Sequence, residues 1–323
     1  MDKQKWSRGG RKQTMKDMKS VGIISGKGGV GKTSLTASLT SLANQDPDIT
    51  PVIMDCDVDA PNLAIILPAK DENEIDKKDT YTTLKATFLE DKCVNCKQCI
   101  DDLFCEFHAL EWNGENNVPV IDKLACEGCG ACKVLCPEHA FEISPVKSGE
   151  IFSYKTKVGP HLIYGRTVLG STTSGKLVSE TKEFAQETVE GDNANLTIID
   201  GPPGIGCPVI ATVSDLDFVI TICEPTPSGL HDVKRAIELV QQFNIPFGIV
   251  INKSDLKSSF QEKFEDFIDK TGYDVLGRIP FDLEIPQAMA HASPVVDYAP
   301  KSKASKAIKL IYDELKRRLG NEF

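Results

Sequence analysis

The chain has 323 residues, 41% of them apolar and 26% charged, with a net charge of −10. That length suits a core domain carrying a smaller insert, and the acidic balance argues against non-specific nucleic-acid binding. No stretch approaches the roughly 18 apolar residues that span a bilayer, and the N-terminus lacks an apolar h-region, so neither a membrane protein nor a secreted one is expected. The charge is uneven. Residues 1–20 carry Lys3, Lys5, Arg8, Arg11, Lys12, Lys16 and Lys19 against Asp2 and Asp17, a net +5 that leaves −15 for the rest. This basic tail, residues 1–19, reads as a solvated terminus or as a docking element for an acidic partner.

In chain order, Val21–Ser25 is a short apolar run that ends at a glycine-rich loop, and Lys32 to about Ala43 is a predicted helix with Leu35, Leu39 and Leu42 on one face. Further buried strands are predicted at Pro51–Asp55, Leu196–Asp200, Phe218–Cys223, Phe247–Asn252 and Val275–Ile279, with helices near 177–190, 229–243, 256–270 and 302–319. The last helix aligns Ile308, Ile311, Leu315 and Leu319 and stops at Gly320. Apolar strands alternating with helices imply an α/β fold with a mostly parallel sheet covered on both faces. The alternation breaks between about 80 and 178, where Glu150–Leu169 alternates weakly around Gly159-Pro160 and suggests a β-hairpin arm. The expected division is 20–80 with 177–323 as the core domain, 81–145 as an insert, and 146–176 as a hairpin arm or connector.

Gly26-Lys27-Gly28-Gly29-Val30-Gly31-Lys32-Thr33, followed by Ser34, fits G-x4-G-K-[ST] between a strand and a helix. The glycines let backbone N–H groups close around phosphate oxygens, and the helix N-terminus adds its positive end. Lys32 is expected on the β- and γ-phosphates and Thr33 on Mg²⁺. Asp55-Cys56-Asp57 ends the second strand, and Asp200-Gly201-Pro202-Pro203-Gly204 ends another. Asn252-Lys253-Ser254-Asp255 has the N-K-x-D form that reads guanine in GTPases, so this motif alone leaves ATP and GTP both open.

Eight of the eleven cysteines fall between Cys93 and Cys136. Cys126, Cys129, Cys132, Cys136 and Pro137 form C-x2-C-x2-C-x3-C-P, the spacing that holds cubane iron–sulfur clusters. Cys93, Cys96, Cys99 and Cys105 form a second run with a longer last gap and no proline. In two-cluster ferredoxins the fourth cysteine of each run crosses to the other cluster. One [4Fe–4S] cluster is therefore expected on Cys93, Cys96, Cys99 and Cys136, and another on Cys126, Cys129, Cys132 and Cys105. A degraded first site, holding [3Fe–4S] or nothing, and a zinc ribbon are the alternatives. Cys56 and Cys223 read as packing residues, and Cys207 lies just after the Asp200 motif. Dense thiols without a secretion signal suit a reducing, cytoplasmic compartment.

With Lys27, the phosphate loop reads K-G-G-x-G-K-T. It resembles the deviant Walker A loop of the MinD/ParA/nitrogenase-iron-protein family of ATPases, and from about residue 20 onward the chain is similar to members of that superfamily with an inserted ferredoxin domain. Ser174-Gly175-Lys176-Leu177-Val178 and Glu224-Pro225-Thr226 look like that subgroup too. The resemblance implies that Lys27 crosses a homodimer interface to a phosphate on the other subunit, sandwiching ATP. It implies Asp57 as the carboxylate that orients water, with Asp55 assisting near Mg²⁺, and Asn62 as a switch I residue. It places Asp200 in Walker B, reaching Mg²⁺ through water, with switch II following. Asn252 would contact adenine and Pro280 would close over the base. The C-terminal C-x-x-C of Mrp-type cluster carriers is missing.

The expected activity is MgATP hydrolysis coupled to electron transfer or to metal-cofactor assembly on a protein partner, a paralogous ATPase being one option. A positioning ATPase with structural or redox-sensing clusters, and an electron carrier that uses ATP as a conformational switch, are the alternatives.

Overall fold

The computed structural model of the chain describes residues 18–100, 104–171, 173–188, 193–256 and 260–320. The basic residues 1–17, on which the docking expectation rests, lie outside the described residues.

The chain opens with β1 (Lys19–Ser25), α1 (Lys32–Gln45), β2 (Pro51–Asp55), the one-turn α2 (Leu63–Ile66) and β3 (Asp76–Thr80). The cysteine-bearing segment contains β4 (Thr83–Phe88), β5 (Leu110–Asn113), β6 (Val118–Ile121), α3 (Ala131–Leu135) and β7 (Phe141–Val146). Then come β8 (Gly149–Lys155), β9 (His161–Thr167), α4 (Ser174–Thr188), β10 (Leu196–Pro203), α5 (Cys207–Val213), β11 (Phe218–Cys223) and α6 (Pro227–Gln242). The chain closes with β12 (Phe247–Asn252), α7 (Gln261–Thr271), β13 (Val275–Ile279), α8 (Glu284–Ala290), α9 (Val295–Tyr298) and α10 (Lys303–Leu319).

Among the described residues, nine strands form one sheet in the order β13-β12-β11-β1-β10-β2-β9-β8-β3. The seven strands from β13 to β9 pair in parallel, and β8 and β3 then add antiparallel. The central parallel strands β1, β2, β10, β11 and β12 are largely apolar because helices cover both faces. Ile23 packs into the cluster under α1 and α10, whereas its neighbour Ile24 packs into the cluster on the other face, under α4, α5 and α6. In α10, Ile308, Ile311 and Leu315 are buried in the first of these clusters. The apolar stripe of the last helix is therefore core, not a free membrane-binding face.

The hairpin expected at 146–176 is present as β8 and β9, but it is not an arm. β9 pairs in parallel with β2, and β8 carries β3, so the hairpin extends the main sheet. β3 itself reads Asp-Lys-Lys-Asp-Thr, a composition that hides a strand from any apolar pattern. Such charged edge strands pair through their backbone while discouraging further pairing.

The small cysteine-bearing unit projects from this edge. β4 pairs antiparallel with β7, and β5 with β6. Only two residues separate β3 from β4, and two separate β7 from β8. Hydroxyls knit these crossings together. Thr82 N donates to Ser148 Oγ at 2.7 Å, while Thr82 and Thr83 both reach Thr173 Oγ1, at 2.6 and 3.0 Å. Thr173 immediately precedes α4.

Candidate functional site

The phosphate loop leaves the carboxyl end of β1 and enters α1. Gly29 and Gly31 have φ of 79° and 95°, and Gly31 ends the loop as the left-handed N-cap of α1. Asn252, at the end of β12, ties this loop down. Its Nδ2 donates to Val30 O at 2.7 Å and its Oδ1 accepts from Lys253 N at 2.9 Å. A Cβ at Gly31 would lie 2.4 Å from that amide nitrogen, so the close approach itself requires glycine.

β10 lies between β1 and β2, and the register sets Asp200 opposite Asp55. Asp200 is buried. It accepts from Thr33 Oγ1 at 2.7 Å and Thr36 Oγ1 at 3.0 Å, and pairs with Lys32 Nζ at 3.4 Å. Asp55 is also buried and accepts from the backbone N–H groups of Asp57 and Leu63, both at 3.0 Å. Desolvation, reinforced by the Asp200 carboxylate, holds Asp55 well above the usual carboxylate range. Asp57 is half-buried, and desolvation raises its carboxyl as well, against the pull of Lys32. The structure thus gathers Lys32, Thr33, Asp55, Asp57 and Asp200 at one end of the sheet. Such a crevice at the carboxyl ends of parallel strands is where open α/β sheets bind ligands. Thr36, which the sequence reading missed, joins them because it sits one helical turn after Lys32.

Other expected residues are less convergent. Lys27 is exposed; its carbonyl accepts from Ser25 Oγ at 2.8 Å, while its ammonium pairs with no described residue. Asn62 is exposed, and Ser34 Oγ turns toward Met289 Sδ at 3.3 Å. Pro280 follows β13. Asp255, the last residue of N-K-x-D, accepts from Phe281 N at 2.6 Å and from Lys303 Nζ at 3.1 Å. Each of its carboxylate oxygens is thus engaged within the protein. Away from this end of the sheet, Lys19, Asp217, Tyr273 and Arg318 line an open cavity of about 680 Å³ that holds none of the phosphate-loop residues.

The segments that follow Asp57 and Asp200 both contact β9 or α4, the elements that follow the insert. Thr167 Oγ1 and Ser174 Oγ each donate to Asp59 Oδ1 at 3.0 Å, two residues beyond Asp57. On the other side, Lys182 of α4 donates to the carbonyls of Ala211, Thr212 and Ser214, capping α5. Gly175 lies so close to Cys207 that a Cβ would meet it at 3.1 Å.

The eight clustered cysteines separate into two fours. One cavity is lined by Cys93, Cys96, Cys99 and Cys136, and another by Cys105, Cys126, Cys129 and Cys132. Each is a small cavity of about 20 Å³. Phe104 lines both. Among the described residues, no group of three or more His, Cys, Asp or Glu side chains converges as a single metal ion would require.

The two halves also share backbone detail. Asn95 and Lys97 have positive φ at the positions that Gly128 and Gly130 occupy in the other run. Ala109 N and Ala140 N donate to Cys105 Sγ and Cys136 Sγ, both at 3.4 Å. His108 and His139 sit at equivalent left-handed turns in these segments, which explains their placement without a ligand role.

Comparison with known proteins agrees with this geometry. An uncharacterized protein of Methanocaldococcus jannaschii is 37% identical over 92% of this chain and 96% of its own length. The iron-sulfur cluster carrier protein of Pyrococcus horikoshii is 23% identical over 93% of this chain and 86% of its own. The septum site-determining protein MinD of Pyrococcus horikoshii, solved with Mg-ADP, superposes with a TM-score of 0.58 at 18% identity, covering 95% and 99% of the two chains. The profile of the CobQ/CobB/MinD/ParA nucleotide binding domain matches residues 21–295, and the chain belongs to that family as a P-loop ATPase of the MinD/ParA type.

Proposed function

We propose that the chain is a homodimeric MgATPase whose nucleotide cycle is coupled to two iron–sulfur clusters, and that it serves electron transfer or metal-cofactor assembly on a protein partner. The observation that carries this reading is the continuous set of contacts from Asp59 through Ser174 and Thr173 to Thr82 and Thr83 at the root of the insert. A change at switch I would reach the insert through hydrogen bonds, and a change at α5 would reach it through Lys182 and α4.

Lys32 is paired with Asp200. A γ-phosphate would compete for Lys32, freeing Asp200 to face Mg²⁺ together with Thr33. Bound there, Mg²⁺ would neutralise charge developing on the transferring phosphate. Asp57 would orient the attacking water, while Asp55 fixes the switch I turn through its two backbone hydrogen bonds. This makes Asp55 an organiser of the turn. Asn252 likewise acts here as a strap on the phosphate loop, with one amide N–H left over for a base. The Lys27 ammonium, exposed and unpaired among the described residues, is free to reach across a dimer.

Thiolates are suited to iron–sulfur clusters, and the two four-cysteine cavities supply the donor sets with crossed fourth ligands. Such clusters would provide one-electron redox chemistry. The relative named as an iron-sulfur cluster carrier supports the assembly side of the reading. The buried stripe of α10 speaks against a membrane-positioning role, and no described helix is long and apolar enough to cross a membrane.

The test is anaerobic purification followed by EPR spectra and midpoint potentials with and without MgATP. Coupling predicts that nucleotide shifts at least one cluster's potential, or that reduction changes the hydrolysis rate. If neither responds to the other, the coupling is refuted.

A further inference from the structure

Among the described residues, the buried lysines, arginines, aspartates and glutamates are Lys32, Asp55, Asp200 and Lys85. The first three meet at the nucleotide site and balance one another. Lys85 stands alone. It lies on β4, in register with Ser144 of β7, and is 4% exposed. Its ammonium donates to the carbonyl of Cys126, and no carboxylate of a described residue pairs with it. Burying an ammonium without an anion is costly, and a single neutral carbonyl does not offset it. Cys126 lines the second cavity, and Ala86, the next residue after Lys85, donates its N–H to Cys126 Sγ at 3.4 Å.

The insert is also polar along its length. β4 runs outward from the ATPase body and β7 runs back. Cys126 and Gly128 lie against residues 84–86, near the root, while Phe88 and Phe141 at the far end of the β4–β7 pair line the cavity of Cys93, Cys96, Cys99 and Cys136. The other charges near the two cavities are exposed. Lys97 and Glu138 line the outer one, Glu127 lines the inner one, and Lys123 reaches Ala86 O from the surface. Solvent screens these, whereas a buried charge acts at low dielectric.

We propose that Lys85 is the built-in counter-ion of the root-side cluster held by Cys105, Cys126, Cys129 and Cys132, and that it sets this cluster's reduction potential above that of the outer cluster. A cubane with four thiolates is an anion whose charge grows by one on reduction, so a fixed neighbouring cation favours the reduced form. An insert that has accepted one electron from a low-potential donor therefore holds it on the cluster nearest the ATPase body. There it lies beside the hydroxyl contacts that lead to Asp59.

This inference rests on the two-cluster reading, and the test separates the two. The full chain, reconstituted anaerobically, is assayed for iron and acid-labile sulfide and then titrated with dithionite under EPR, as wild type, Lys85→Met, Lys85→Arg and Cys129→Ala. Absence of two clusters in the wild type refutes the function proposed above. Given two clusters, the higher-potential wave is expected to be the one altered in Cys129→Ala. Lys85→Met should lower that wave alone by at least about tenfold in its reduction equilibrium, about 59 mV for one electron. Lys85→Arg should restore it. If the Lys85→Met chain binds only the outer cluster, recovery of both in Lys85→Arg supports the counter-ion role, and failure of Lys85→Arg to recover it overturns that role. Unmoved waves in a fully loaded Lys85→Met chain, or equal shifts of both, also overturn it.

Discussion

Replacing Gly31 by alanine perturbs the strap between β12 and the phosphate loop at two points. Alanine must adopt φ near 95°, where glycine now sits, and a left-handed L-residue costs roughly 1–2 kcal/mol. Its Cβ would also fall 2.4 Å from Asn252 Nδ2, displacing the 2.7 Å hydrogen bond to Val30 O. Asn252 is 5% exposed, so the separated groups gain little from water, at a cost of about 1–3 kcal/mol. Together these give about 2–5 kcal/mol, a large share of a typical domain stability of about 5–15 kcal/mol. Urea unfolding of the nucleotide-free chain should show the midpoint falling by about 1 M or more. Gly28→Ala is the control. Nothing lies within 4 Å of a Cβ there, and its stability should stay within about 0.5 kcal/mol of wild type. Equal midpoints for Gly31→Ala and Gly28→Ala would refute the strap.

Lys27→Ala should abolish hydrolysis while single-chain ATP binding, measured by equilibrium dialysis, stays near wild type; retained turnover would remove the sandwich-dimer reading. Gly128→Ala forces a left-handed alanine whose Cβ meets the backbone oxygen of Leu84 at 2.1 Å. It should cut iron from about eight to about four per chain with ATP binding intact, and full iron loading would contradict the second site's geometry. Hydrogen bonds from Lys147, then Lys77 and Arg166, hold Glu150 down to about 2 from an ordinary 4.5. A carboxyl lowered on folding adds stability above its unfolded value and loses it as pH falls through the folded one. The stability gap between wild type and Glu150→Gln should therefore be full above about pH 4.5 and close toward pH 2. A gap that does not change with pH would exclude this cluster as its source.

The phosphate loop and the cysteine runs were legible because their chemistry demands fixed residue types at short, fixed spacing. The parallel core strands were legible as well, since burial on both faces leaves continuous apolar runs such as Phe218–Cys223. The misses share a physical cause. β3 is charged because its stability comes from backbone pairing with β8, not from side chains. α5 has seven residues, too few to show a helical period. The hairpin looked like an arm because its alternation is local, whereas its pairing with β2 joins residues more than a hundred positions apart.

The sequence by itself determined the nucleotide chemistry and the eight thiols, both written in contiguous spacing. Only the tertiary structure decided how they face one another. It put Asp55 in register with Asp200, engaged Asp255 with Phe281 and Lys303, set the Cys126 side of the insert at its root, and buried Lys85 there with no carboxylate of a described residue beside it. Each of these depends on residues distant in the chain meeting in a place that excludes water, and local spacing carries no record of such a meeting.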